Sequence, residues 1–242
     1  MKLPSRKLRF LFIYPLAVWL FLSAHSTTRS LRLGIVVIIL GEALRLWANA
    51  YVGAVKVNTS DAQKGGSKIG HLITGGPYAC VRNPLYLGTL LIGLGFCVAA
   101  QVWWIGLIGV ACFYLIYSRK IRSEEATLRQ EWGEEAARYQ QRVPRWLPIR
   151  GPYDRPYGRP AWTGIQHSHE FQTVVWLVVA VVALYFRQDL WQKHRPFWTA
   201  APLKHVVLAS VVAVLVTTEA VRDLRKRGVL TFLAKRGNAC SG

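Results

Sequence analysis

LYLGTLLIGLGFCVAAQVWWIGLIGVACFYLIY, running from Leu85 to Tyr117, is 33 residues without a charged side chain. A helix crosses a hydrocarbon layer of about 30 Å in roughly 20 residues, with about 17 to 25 tolerated. The stretch is too long for one span and long enough for two. Gln101, followed by Trp103 and Trp104, interrupts it near the middle, which predicts a tight helical hairpin turning at a membrane interface. Each arm is about 24 Å long at 1.5 Å per residue. That is short for a bilayer and implies local thinning or anchoring by interfacial tryptophan.

Working outward, Leu8–Ala24 and Leu31–Val52 are candidate spans before the hairpin, the second carrying Glu42 and Arg45. Thr173–Phe186 is a fifth, short unless it borrows His169 to Gln172, and Leu203–Val221 is a sixth. The expected architecture is all-α: a polytopic membrane protein of about six helices. Lys and Arg test it. On the N-terminal side of the membrane they number four (1–9), four (53–84), ten (118–172) and six (222–242); the other side carries two (25–32), none in the hairpin turn and four (187–204). Positive loops stay cytoplasmic, so a multi-pass protein with both termini in the cytoplasm is expected. The basic start and the small residues near Ala24 also suit a signal peptide. Removing it would leave five spans and spoil the charge alternation, so the first span is read as retained. The chain divides into two N-terminal spans (1–52), a central segment with the hairpin (53–150), and a linker with two C-terminal spans (151–242).

Composition agrees. Of 242 residues 52% are apolar, only 18% are charged, and ten are tryptophan; an ordinary soluble domain carries about 25% charge. The net charge of +19 sits at the ends of apolar blocks with no recognition motif, so nucleic acid is not an expected partner. Cys80, Cys97, Cys112 and Cys240 form no CxxC pair and no metal-ligand spacing. The C-terminal Cys240-Ser241-Gly242 is one residue short of a prenylation box.

Two polar stretches flank the hairpin on one side. Leu72–Gly88, LITGGPYACVRNPLYLG, begins with a Gly75-Gly76-Pro77 turn that allows close backbone approach. Asn83 suits the cap and Pro84 the first turn of the following helix, and a helix start favours carboxylate or phosphate. The stretch reads either as a capped span entry with interfacial Tyr78 and Tyr86 or as a ligand-binding turn. In Arg119–Pro148, Glu124, Leu128, Trp132, Ala136, Tyr139 and Val143 mark one face of a helix that Pro144 and Pro148 end. Glu124 lies on that stripe and Glu125 about 100° around from it. This stretch reads either as a charged interfacial helix or as a carboxylate pair for an ammonium or a ribose.

Taken in order, Gly76-Pro77-Tyr78, Arg82-Asn83-Pro84-Leu85-Tyr86-Leu87-Gly88, the uncharged hairpin, Glu124-Glu125 and Arg142-Val143-Pro144-Arg145-Trp146-Leu147-Pro148 resemble the isoprenylcysteine carboxyl methyltransferase and phospholipid methyltransferase family of integral membrane enzymes. Lys56 and Asn58 resemble its bacterial branch. The resemblance covers about residues 45–150. It departs from the family at Asn83, where histidine is usual, in an insert around Asp61–Gly70, and in the pair of spans after residue 170.

The resemblance implies methyl transfer from S-adenosylmethionine at the cytosolic face to a lipid or lipidated acceptor in the bilayer. It implies cofactor contacts from Gly76, Tyr78, Arg82, Asn83, Tyr86, Gly88, Glu124 and Glu125, and catalytic roles for Glu124 with Arg119, Lys120 or Arg122. No metal is implied. An in-line methyl displacement asks for donor and acceptor held in line and water excluded. A carboxylate acceptor wants a positioning cation, and an amine acceptor wants a base. The cations around Glu124 favour the carboxylate, with a phospholipid amine as the alternative.

Other polar residues fit less specific roles. Glu42 and Arg45 are three apart on one helical face and either pair internally or meet a ligand. Glu219 falls near an interface. His167 and His169 lack a third ligand. Arg155–Arg159 reads as a linker or membrane-surface segment, and Gly88, Gly93, Gly95, Gly106 and Gly109 as sites of close helix contact in the hairpin. A non-catalytic transporter or assembly factor is the competing class. It would place its polar residues at the midplane, whereas the motif residues here gather at one face.

Overall fold

The computed structural model describes residues 5–52, 72–160, 170–187 and 212. Its elements are α1 (Ser5–Ser23), α2 (Thr28–Val52), a single 3-10 turn (Gly76–Ala79), α3 (Pro84–Ala100), α4 (Trp103–Arg142) and α5 (Glu170–Arg187). Every regular element among the described residues is helical. The chain separates into two compact units, Met1–Phe171 and Gln172–Gly242. Lys56, Asn58, the Asp61–Gly70 insert, His167, His169, Glu219 and all but one residue of the sixth candidate span lie outside the described residues.

The hairpin turns at the expected place. Gln101 adopts a left-handed backbone, φ 58°, and the amides of Gln101 and Val102 donate to the carbonyls of Val98 and Cys97 at 3.2 and 3.0 Å. This pair of bonds is a Schellman closure, with Gln in the position that glycine usually fills. The start of α2 meets the same turn. Thr27 and Ser30 cap α2 reciprocally at 2.9 and 3.1 Å. The Ser30 hydroxyl also donates to the Ala99 carbonyl at 3.0 Å, and the His25 amide to the Ala100 carbonyl at 2.9 Å. The α1–α2 and α3–α4 turns therefore lie together at one end of the bundle.

Close helix contact runs between α2 and α3 rather than along the hairpin. A Cβ on Gly34 would come within 2.5 Å of the Gly95 carbonyl, and one on Gly41 within 2.8 Å of the Gly88 carbonyl. Gly93 has nothing nearby, and Gly106 and Gly109 leave ordinary contact distances. The small residues of α3 thus serve α2, which corrects the sequence reading for Gly93, Gly106 and Gly109. Glu42 and Arg45 pair at 3.4 Å, and Arg45 donates to the Thr89 hydroxyl of α3 at 2.5 Å.

Large apolar side chains point outward. On α2, Leu33, Val36, Ile39 and Leu40 are more than half exposed, as are Leu107 and Leu115 on α4. A soluble monomer rarely shows contiguous apolar surface on this scale. Among the described residues α4 is the one helix long and apolar enough to cross a membrane; Tyr14–Ser23, Pro84–Ala100 and Gln172–Arg187 are shorter apolar segments. α5 starts at Glu170, so the fifth candidate does borrow residues before Thr173.

The expected single helix through residues 119–143 is corrected. Gly133 has φ 49° and ψ −122°, outside the helical region, and the chain doubles back there. In a continuous helix Glu125 and Gln140 would stand about 22 Å apart at 1.5 Å per residue. Instead the Gln140 amide donates to the Glu125 carbonyl at 3.0 Å, and Arg129 Nε donates to Gln140 Oε1 at 2.7 Å. The predicted apolar face lies inside this fold-back: Ala136, Tyr139 and Val143 are buried with Leu72 and pack against Leu128, Trp132 and Tyr153.

Candidate functional site

The end of the bundle opposite the two turns carries the polar residues. Gly76 opens the 3-10 turn at φ 58°, where an L side chain is strained and a Cβ would run into the Tyr51 ring. Residues 153–157, expected as linker, hold this turn in place. The amides of Thr74 and Gly75 donate to the Tyr157 carbonyl at 3.1 and 2.8 Å, the Tyr157 amide donates to Thr74 Oγ1 at 2.8 Å, and the Tyr153 amide donates to the Ala79 carbonyl at 2.9 Å. Buried backbone groups must find partners, and the Pro- and Gly-rich segment supplies them without a helix of its own.

The hairpin then returns α4 beside the start of α3. Tyr86 donates its hydroxyl to the Glu124 carboxylate, 3.0 Å from one oxygen and 3.2 Å from the other. Lys120, one turn earlier on α4, lies 3.6 Å from Glu124 and 5.5 Å from the centre of the Tyr86 ring. Arg119 and Arg122 are exposed. Of the three cations named from sequence, Lys120 is the one beside Glu124.

Glu125 faces the other way and is buried. Arg82 reaches it at 2.9 Å, and Arg145 forks onto both of its oxygens at 3.0 and 2.5 Å. Two guanidiniums on one carboxylate are a strong, geometrically fixed arrangement. Burial lowers the Arg82 pKa against the opposing pull of Glu125. The hydrogen bond to Glu125 raises that of Arg145. Sequence periodicity placed Glu124 on the apolar stripe; the structure buries Glu125 more deeply, because the returning arm covers that face.

Two tyrosines sit beneath. Tyr139 donates to the Tyr78 carbonyl at 2.8 Å. Burial pushes both phenols well above the ordinary range, with Tyr139 and Glu124 adding to the effect on Tyr78 and Arg82 opposing it on Tyr139. Tyr78 thus lies within electrostatic reach of Glu124. Asn83 does not cap α3 with its side chain, contrary to expectation; its amide donates to the Arg145 carbonyl at 3.2 Å. Gly88 faces α2, where a Cβ would meet Arg45 and the Gly41 carbonyl. From Tyr86 an aromatic row continues toward the apolar hairpin. The Tyr86 and Tyr117 rings are 5.0 Å apart, Tyr117 and Phe113 4.4 Å, and Phe113 and Trp146 6.0 Å.

Of the residues singled out from sequence, the structure therefore gathers Tyr78, Arg82, Asn83, Tyr86, Lys120, Glu124 and Glu125 around the meeting of α3 and α4, with Gly76 in the adjoining turn. Gly88, Arg119 and Arg122 point elsewhere. Arg145, Tyr139, Gln140 and Trp146 were not nominated. The signal for Arg145 and Trp146 was the RVPRWLP stretch (142–148) that closes the helix, basic and aromatic where a plain terminator needs only proline; Tyr139 showed only as part of the apolar stripe, and Gln140 gave no signal. An open cleft of about 510 Å³ between Leu94, Val98, Trp103 and Leu107 lies near the hairpin turn. Its nearest lining residue on α3, Leu94, is about 12 Å along the helix from Tyr86, and none of the residues gathered above lines it, so it is not part of this site.

Comparison with known proteins agrees with the geometry. Residues 30–135 match the family model described as phospholipid methyltransferase. The cobalt-zinc-cadmium resistance protein CzcN of Cupriavidus metallidurans is 31% identical over 142 residues, 59% of this chain and 57% of that protein. A probable protein-S-isoprenylcysteine O-methyltransferase of Oryza sativa is 30% identical over 125 residues, 48% of this chain and 60% of that protein. Protein-S-isoprenylcysteine O-methyltransferase B of Arabidopsis thaliana is likewise 30% identical over 125 residues, 58% of its length. The chain spans less than two thirds of the length of these relatives. No solved structure matches. Residues 30–135, which hold both arms of the hairpin and the Tyr86–Glu124 contact, are thus similar to the phospholipid methyltransferase family, and the curated relatives that resemble the chain include isoprenylcysteine O-methyltransferases.

Proposed function

We propose that this chain transfers a methyl group from S-adenosylmethionine to a carboxylate on a membrane-embedded amphiphile, of the isoprenylcysteine type or another lipid acid. The reading includes six spans, both termini in the cytoplasm and the site at the cytosolic boundary. The observation that carries it is the Tyr86–Glu124 hydrogen bond. Two polar segments separated by an oily hairpin meet where a charged, water-borne donor and a lipid acceptor can both arrive. The names of relatives similar to about half of the chain, isoprenylcysteine O-methyltransferases, support the same chemistry.

The residues present fit the cofactor. A carboxylate offers about four lone-pair positions, and Glu124, held by Tyr86 and Lys120, is the acceptor this reading assigns to an ammonium or ribose hydroxyls. Glu125 has both oxygens engaged by arginine and serves as the anchor of the wall behind. When bound, the cofactor supplies an electrophilic methyl on a sulfonium. The protein's part is to orient and to exclude water: Tyr86 fixes Glu124, the Gly76 turn brings backbone close, and the Phe113–Tyr117 row keeps the boundary apolar. Lys120 is the cation positioned to hold an acceptor carboxylate, which is already nucleophilic.

The description phospholipid methyltransferase favours a second acceptor, an amine, for which Glu124 is the base in reach. The metal-resistance name of the Cupriavidus relative favours a non-catalytic reading. Against a transport path, Glu42 and Arg45 are engaged with each other and with Thr89. Calorimetry of the purified full chain with S-adenosylhomocysteine decides the class: binding is expected, and its absence in folded protein ends the enzyme reading. Membranes incubated with methyl-labelled cofactor then separate the acceptors. Label released as methanol by alkali marks a methyl ester, and alkali-stable label marks an amine.

A further inference from the structure

Asn83 occupies the cap position of α3 yet makes no capping bond with its side chain. Its own carbonyl takes the amides of Tyr86 and Leu87, both at 3.1 Å, and its side-chain amide is turned away to the carbonyl of Arg145 at 3.2 Å. Beside it the Arg82 amide donates to the Pro144 carbonyl at 2.9 Å. Two consecutive residues at the start of α3 thus grip two consecutive carbonyls of the chain that returns from the fold-back. The second of those carbonyls belongs to Arg145, whose guanidinium forks onto Glu125.

Asn is favoured at a helix cap because its oxygen can accept from the first free amides. Using the side chain as a donor to a distant carbonyl forgoes that bond and spends it on placing Arg145. We propose that Asn83 is a positioning residue that acts through Arg145, holding its backbone so that the guanidinium closes on Glu125, and that it does not itself contact a ligand. The position requires a neutral N–H donor, which an imidazole also supplies and a carboxylate does not. The effect on cofactor affinity rests on the methyltransferase reading above; the placement of residues 144–146 does not.

Hydrogen exchange of residues 143–147 in the purified full chain tests the placement without any cofactor. One hydrogen bond of typical net worth corresponds to about fivefold in an equilibrium. Asn83→Ala and the isosteric Asn83→Asp are each expected to speed exchange there by about that factor, and Asn83→His to restore the wild-type rate. Unchanged exchange in both donor-less variants overturns the proposal, and so does a histidine variant as fast as the alanine one. Where Asn83→Ala does not fold, the Asp and His pair carries the same comparison.

A double-mutant cycle on S-adenosylhomocysteine affinity tests the route. Arg145→Gln and Asn83→Ala are each expected to weaken binding, with the double variant no weaker than Arg145→Gln alone. A double variant whose loss is the product of the two single losses shows Asn83 acting on the ligand directly and overturns the proposal. If the wild-type chain binds no S-adenosylhomocysteine, the methyltransferase reading falls, and the exchange experiment still decides the placement.

Discussion

Tyr86 and Glu124 stand 38 positions apart in the chain and are joined by a hydrogen bond of 3.0 Å. The hairpin between them does the joining, because its left-handed turn at Gln101 returns α4 antiparallel to α3. Removing the hydroxyl tests what the contact is for. Tyr86→Phe is expected to weaken S-adenosylhomocysteine binding by about ten- to a hundredfold, the worth of one hydrogen bond to a charged group. Thermal unfolding should shift little, since the ring stays packed on Tyr117.

Glu125 and Glu124 should part company on substitution. Breaking a buried pair from one side costs about 3–5 kcal/mol, but Arg145 keeps access to water, so about 2–3 kcal/mol is expected for Glu125→Ala after that discount. Glu124→Gln should cost about 1 kcal/mol, because its partner Lys120 is solvent-accessible, while abolishing most cofactor affinity. Unfolding midpoints and calorimetry on the two variants check the division.

Gly133 is the hinge of the fold-back, and its φ of 49° with ψ −122° is open to glycine and strained for any other residue. No atom lies near a Cβ there, so the penalty is conformational alone. Gly133→Ala is expected to cost about 1–3 kcal/mol, to speed hydrogen exchange in residues 134–143, and to loosen the Gln140–Glu125 bond first.

Tyr78 and Tyr139 give the protein an alkaline limit. Burial raises both phenols in the folded state, so the folded chain keeps protons that the unfolded chain releases near pH 10. Stability is complete below that pH and falls as pH climbs above it. Tyr139→Phe should flatten that fall while lowering stability at neutral pH by about 1 kcal/mol through the lost bond to Tyr78. Denaturation midpoints measured from pH 8 to pH 11 check the slope.

Glycine substitutions should sort by neighbour and not by helix. Gly95→Ala places a Cβ within 3 Å of the Gly34 carbonyl and of Ile38, and backbone cannot yield. A loss of at least 1–3 kcal/mol is expected, the usual cost of overpacking. Gly93→Ala, two residues away with open space, should gain about 0.5–1 kcal/mol from helix propensity.

The hairpin was legible because it is written in local signals: an uncharged run of known length, a polar residue at its middle, and Pro84 at its entry. The apolar stripe from Leu128 to Val143 was legible too, but its shape was not. A recurrence of four passes through Gly133 unchanged whether the helix is straight or folded, and a lone glycine without proline reads as tolerated. What followed from the fold-back was hidden with it. Arg145 comes to Glu125, Glu125 rather than Glu124 is buried, and Asn83 turns from its cap to a carbonyl 62 positions away. Residues 153–157 looked like linker because irregular backbone shows no period, although Thr74 supplied both a donor and an acceptor for it.

The glycines of α2 and α3 recur every seven residues, Gly34 with Gly41 and Gly88 with Gly95, and bring the two main chains into direct touch. Such a seam behaves mechanically as a single slab, because neither helix can roll or slide without driving one carbonyl into another. A bulky guest therefore has no way in between them. On the proposal of a lipid acceptor, entry of an oily tail beside Tyr86 would fall to the other flank, where the Trp146 and Phe113 rings stand 6.0 Å apart.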